Sequence, residues 1–153
     1  MLDLRLPKYK YRIEQRDGKL AIFDPIRKKF IVLTPEEWVR QHFLNFLNVH
    51  LGYPASLTSV ETGHKYNSLT KRSDILILDN QLKPLVLVEC KAASVPIDES
   101  TVRQLAVYNT ACKAQLLIVT NGMVTYAGLC KASPEAFEVL SQIPDYNSLT
   151  AMI

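Results

Sequence analysis

Apolar and polar positions recur with two different periods along this chain, and each change of period marks an element. Tyr11 to Gln15 and Leu20 to Phe23 flank Arg16-Asp17-Gly18-Lys19, where Asp-Gly is a strong hairpin signal. Phe30 to Leu33 reads as a third short strand, so residues 1–33 form a small β-extension. From Thr34 the period lengthens to that of a helix. Thr34 is its cap, Pro35 sits at the first helical position, and Glu37 completes a capping box. Val39, Phe43, Phe46 and Leu47 make the apolar stripe, and Gly52 and Pro54 end the helix after Leu51. Leu57 to Glu61 is a short strand, Thr62 to Thr70 a polar loop, and residues 71–79 and 84–91 two apolar strands. A second helix runs from its cap, Asp98, to about Cys112, with Val102, Leu105, Ala106 and Asn109 on one face. Gln115 to Thr120 and Met123 to Leu129 are strands around an Asn121-Gly122 turn. Pro134 opens a short final helix, and residues from about Pro144 read as a tail. The order α-β-β-β-α-β predicts an α/β (α+β) fold, a mixed sheet with helices on its faces. One domain is expected, with a core over 34–130 and a C-terminal helix and tail over 131–153.

The stretch from Asp74 to Lys91 carries the chemistry. If Asn80 to Lys83 form a four-residue loop, Asp79 faces Pro84, Leu78 faces Leu85, Leu76 faces Leu87 and Asp74 faces Glu89. The other face pairs Ile77 with Val86 and Ile75 with Val88, so the hairpin is apolar on both sides and belongs in a core. Directly opposite residues have Cβ atoms roughly 5 Å apart, and like charges there repel. Two carboxylates in such a place need a cation, and Mg²⁺ bonds oxygen at about 2.0–2.1 Å. A divalent-metal site at Asp74 and Glu89, with Lys91 one step along the same face, is the expectation. Acidic-x-Lys alone is weak, since Asp17-Gly18-Lys19 matches it inside a turn; the apolar strand and the opposing aspartate set Glu89-Cys90-Lys91 apart. On helix 34–51, Glu36 falls within the apolar stripe and Glu37 outside it. Glu36 is either a cap and dipole residue or a third carboxylate pointing towards the metal, with Arg40 one turn later. Trp38, His42 and His50 lack ligand spacing and read as packing or surface residues, and His64 as a loop residue.

At 153 residues the chain suffices for one domain with a real core. The net charge is +3, but residues 1–30 carry nine Lys/Arg against four Asp/Glu. That basic arm suits an anionic partner, or is a solvated hairpin with lysines on its edges. Lys71 and Arg72, and Lys65 in the loop before them, are candidates for phosphate contacts. Cys90, Cys112 and Cys130 are widely spaced without a CxxC pair, which argues against a disulfide framework or zinc knuckle. With no signal-peptide core and no apolar run of about 18 residues, a soluble cytoplasmic protein without membrane association is expected.

The ordered set resembles the PD-(D/E)xK nuclease superfamily, whose αβββαβ core carries an acidic pair and a lysine on its central hairpin. Thr-Pro-Glu-Glu-Trp-Val-Arg-Gln, Arg-Ser-Asp-Ile, Val-Glu-Cys-Lys-Ala and the Gln104…Tyr108 pair are most similar to the N-terminal nuclease domain of type I restriction enzyme R subunits. The resemblance covers roughly residues 30–130. It implies a restriction-endonuclease-like fold and Mg²⁺-dependent hydrolysis of DNA, with Mn²⁺ as a substitute. Asp74, Glu89 and the backbone carbonyl of Cys90 would hold the metal, and Glu36 would match the helix-1 acid. Lys91 would orient or activate water and stabilise charge on phosphate, and Gln104 and Tyr108 would brace the site or the DNA. R subunits also carry an ATP-driven motor, and the chain has no GxxxxGK phosphate loop. Translocation would therefore need other restriction-system subunits, and double-strand cutting by one site would call for a homodimer. The alternative is a catalytically idle module that binds nucleic acid or a protein partner.

Overall fold

Two adjacent strands, β5 (Leu69–Leu78) and β6 (Pro84–Cys90), form the middle of the molecule. Their ladder pairs Ile75 with Val88, Leu76 with Leu87 and Ile77 with Val86, the expected register. Nearer the turn, Leu78 pairs with Pro84 instead of Leu85, and the register shifts between Ile77 and Leu78. The cause is local. The Asp79 carboxylate accepts the N–H groups of Gln81 (2.8 Å) and Lys83 (2.9 Å), and Asp79 N–H bonds the Lys83 carbonyl at 2.8 Å. Leu82 takes a left-handed φ of 62° to close this tighter loop. Leu85 becomes the extra residue of a bulge, which absorbs the change before it reaches the site. The computed structural model describes residues 1–66, 69–130 and 137–153, and, within these, all side chains except those of 62–66, 69–72, 108 and 111.

Six strands form one sheet in the order β4-β5-β6-β7-β8-β9, with β4 Thr58–Tyr66, β7 Leu116–Thr120, β8 Thr125–Leu129 and β9 Glu138–Leu140. Among the described strands only β6 and β7 run parallel, joined by a crossover through α2 (Glu99–Cys112). Helix α1 (Pro35–Asn45) and the turn after it cover one face, packing Val39, Phe43 and Leu47 against Ile75, Ile77 and Val88. Helix α2 covers the other, packing Val102 and Leu105 against Leu76, Leu87 and Leu117. The core therefore lies on both sides of the central hairpin, as its apolar faces require. Asn109, on the buried face of α2, earns its place by closing the turn into β7. Its side chain donates to the Ala114 carbonyl (2.7 Å) and accepts the Ala114 N–H (2.9 Å).

Several elements differ from the expectations. The polar stretch from Thr62 is no loop: β4 continues to Tyr66 and β5 begins at Leu69, with Gly63 opposite Arg72 and Lys65 opposite Thr70. Backbone pairing holds that arm without an apolar pattern, so periodicity could not reveal it. Helix α1 stops at Asn45 and continues as a π-turn over Phe46–His50, before Gly52 leaves it with a φ of 74°. The expected tail instead contains a helix, α3 (Tyr146–Met152), capped by Asp145 and anchored by the buried Leu149. The expected helix opening at Pro134 falls outside the described residues; from Glu138 the chain is strand.

The N-terminal strands β1 (Ile13–Arg16), β2 (Lys19–Asp24) and β3 (Lys29–Val32) form a separate antiparallel sheet. It is tied to the core by Arg27, in the turn between β2 and β3, and by the segment ahead of it. Arg5 N–H bonds the Gly122 carbonyl (2.8 Å), and Trp38 Nε1 donates to the Leu2 carbonyl (2.9 Å). Trp38 and His42 pack as expected, ring against ring at 4.1 Å, with Tyr9 and Tyr11 closing around them. Among the described residues no helix is long and apolar enough to cross a membrane.

Candidate functional site

Ile75 and Val88 are the last ladder pair between β5 and β6, and Asp74 follows at the point where the strands part. The pairing expected one step on, Asp74 with Glu89, is replaced by a side-chain contact. Asp74 Oδ2 accepts the Cys90 N–H at 2.7 Å, standing in for the carbonyl a continuing ladder would supply. This holds the carboxylate between the strands, against the main chain that joins Glu89 to Lys91. Its other oxygen, Oδ1, accepts from Arg40 Nη2 at 2.6 Å.

Arg40 comes from α1 and is buried, with Nη1 on Glu37 Oε1 at 2.7 Å. Burial works against its charge, but Asp74 and Glu37 more than offset that, so it stays protonated throughout the accessible range. Lys91 Nζ lies 3.2 Å from Glu89 Oε1, and both side chains are about one-third exposed. Burial favours the neutral Lys91 amine, yet Glu89 first, then Glu36 and Asp74, outweigh it and raise its pKa. At neutral pH Lys91 is an ammonium, a donor and a charge but not a base. The Cys90 thiol is fully buried and pushed well up by that burial, so only its backbone faces the chemistry.

Burial of the two helix-1 acids is the reverse of what the apolar stripe suggests. Glu37 is the buried one, and its carboxylate does not return to the cap but meets Arg27 (2.9 Å), Arg40 and Gln41 (3.1 Å). Thr34 Oγ1 still accepts the Glu37 N–H at 3.0 Å, so half of the box forms. Glu36 is half-exposed at the rim, 3.9 Å from Arg40 Nη2. Burial and then Asp74 raise its pKa, with Arg40 and Lys91 pulling the other way, so it shares the field of the site.

Three participants escaped the sequence reading. Glu61, on β4, lies between the pairs Val60–Ile75 and Thr62–Ser73, at the register position facing Asp74. It has a left-handed φ of 54°, a strained conformation for a glutamate, and its Oε1 is 3.4 Å from Arg40 Nη2. Arg27 bridges Asp24 (2.6 Å), Glu37 and Glu61 (3.3 Å), and the fully buried Asp24 also accepts from Gln41 at 2.9 Å. An acid ending the strand pattern beside the hairpin was the only signal for Glu61; nothing local pointed to Arg27 or Asp24.

Gln104 is exposed on α2, and no hydrogen bond among the described residues ties it to the triad. The side chains of Tyr108, Lys65, Lys71 and Arg72 lie outside the described residues; the backbone puts the last three on the β4–β5 arm. Among the described residues no cluster of three or more His, Cys, Asp or Glu is gathered as a ready ligand set. The donor chemistry nonetheless suits a hard divalent cation. Asp74, Glu89 and Glu36 offer carboxylate oxygens, and Asp74, Glu89 and Lys91 are all partly open to solvent. Among the described side chains, Asp24, Glu36, Glu37, Glu61, Asp74 and Glu89 outnumber Arg27, Arg40 and Lys91 by six to three.

A mixed sheet with a helix on each face of a central antiparallel hairpin is the architecture of a restriction-endonuclease-like nuclease domain, and the comparisons with known proteins agree. A crystal structure of a candidate nuclease of the DUF820 family from Anabaena variabilis has the same fold, with a TM-score of 0.50 at 10% identity over 96% of this chain and 88% of that one. A family model for the N terminus of type I restriction enzyme R proteins matches residues 35–144, and the chain belongs to that family. No curated protein matches the sequence.

Proposed function

We propose that this domain hydrolyses DNA phosphodiester bonds with the help of Mg²⁺, for which Mn²⁺ can substitute. The observation that carries this reading is the Asp74 carboxylate clamped to the Cys90 N–H, beside Glu89 and Lys91. Asp74, Glu89 and the Cys90 carbonyl would hold the ion, with Glu36 at the rim. Bound there, the metal would supply Lewis acidity and a water acidified for attack near neutral pH. Lys91 acts as the ammonium that Glu89 holds, donating hydrogen bonds to the attacking water or to a phosphate oxygen as negative charge builds. Gln104 and Tyr108 brace the substrate, and Lys65, Lys71 and Arg72 contact phosphates along the β4–β5 arm. Other restriction-system subunits would supply a motor, and a second copy the second strand cut.

Plasmid nicking with Mg²⁺ or Mn²⁺ tests the reading. Wild type should nick, EDTA should stop it, and Asp74→Ala and Lys91→Ala should each lower the rate by about 10²-fold or more. Activity that survives EDTA or either substitution refutes it. One observation favours a second reading: Asp74 Oδ1 already has a cation partner in Arg40. A nuclease-fold module that only binds would retain DNA with every substitution and never nick.

A further inference from the structure

We propose that Arg40 is a resident counter-ion of this site that competes with the divalent metal for Asp74 Oδ1. The inference rests on the metal-dependent reading above and adds how the site is loaded. The two oxygens of Asp74 are held differently. Oδ2 accepts a main-chain N–H at 2.7 Å and stays with the sheet, while among the described residues Oδ1 is held by Arg40 Nη2 alone, at 2.6 Å. The hold is a single contact and not a fork. Arg40 is only 4% exposed, its Nη1 is committed to Glu37, and its buried Nε has no hydrogen-bond partner among the described residues. Two other carboxylates already lie near Nη2: Glu61 Oε1 at 3.4 Å and Glu36 Oε1 at 3.9 Å.

A small rotation about the Glu37 contact therefore moves Nη2 from Asp74 to Glu61. Arg40 remains neutralised, and Asp74 remains oriented through Oδ2 with Oδ1 open to a metal. Glu61, whose backbone is left-handed, thus shares with Asp74 the same guanidinium nitrogen. Without the metal, Arg40 removes the repulsion that would otherwise build around Asp74. With it, the arginine hands over one oxygen and keeps two acids.

Calorimetric titration of the full chain with Mn²⁺ distinguishes competition from support. Arg40→Gln should bind Mn²⁺ about tenfold more tightly than wild type, because a positive charge and a competitor for Oδ1 both go. Arg40→Lys, too short to span Glu37 and Asp74 together, should also bind more tightly, by a smaller factor. Glu37 keeps Arg27 and Gln41 in either variant, which protects the fold. Affinity equal to wild type, or lower by the 10- to 100-fold expected on losing a residue that merely orients a ligand, in whichever variant folds, overturns the proposal alone. Absence of Mn²⁺ binding in wild type and both variants overturns it together with the metal-dependent reading.

Discussion

Asp24 illustrates how far a single buried carboxylate can be from any functional pattern and still hold the site together. Burial alone would raise its pKa. The Arg27 backbone N–H, the Arg27 guanidinium and Gln41 outweigh that and hold it below the ordinary carboxylate range. A depressed folded pKa gives stability that is present above the unfolded value, about 3.9, and lost as pH falls through the lower folded one. Asp24→Asn should therefore cost about 2 kcal/mol at pH 7, the worth of charge-assisted hydrogen bonds in a buried place. Urea denaturation of both proteins at pH 7 and near pH 3 checks this. The gap should narrow at the lower pH, where the unfolded chain takes up a proton that the folded Asp24 resists. The triad residues were legible because they punctuate an apolar hairpin. Asp24 was not, because its partners Arg27 and Gln41 converge on it from a turn and from a helix.

Elements were most legible where one period ran without interruption. The hairpin register survived at Ile75, Leu76 and Ile77 because side chains on both faces are committed to a core, and a one-residue slip would exchange those faces. It failed at Leu78, where the Asp79 loop and not the strand set the geometry. The β8–β9 edge carries a constraint of the same local kind. Gly128 faces Val139 across the ladder, and a Cβ there would run into the Phe137 ring. Gly128→Ala should cost about 1–3 kcal/mol by overpacking. Thermal unfolding should show a midpoint several degrees lower, about 2–4 °C per kcal/mol for a chain of this size. Phe137→Leu in the same chain should recover part of that loss.

At the scale of the whole molecule, the N-terminal sheet is part of the site and not an appendage. Its Arg27 joins Asp24 to Glu37 and Glu61, and the segment before it covers Trp38. Removing residues 1–33 should take Arg27 from Glu37 and Glu61 and cost roughly 3–5 kcal/mol, as breaking buried ion pairs does. Circular dichroism melts of the truncated and full chains would reveal it, and an unchanged midpoint would contradict it. The sequence by itself determined the alternation of helices and strands through the core, most of the central register and the places of Asp74, Glu89 and Lys91 on the hairpin. Each of these depends on periodicity or on spacing within one hairpin. Only the tertiary structure decided that Arg40 meets Asp74 across 34 residues, that Glu61 faces the same carboxylate, and that Glu37 and not Glu36 is buried. Those contacts arise from elements that come together once the sheet has formed, and a charge's partner across such a gap leaves no mark in the local pattern of either segment.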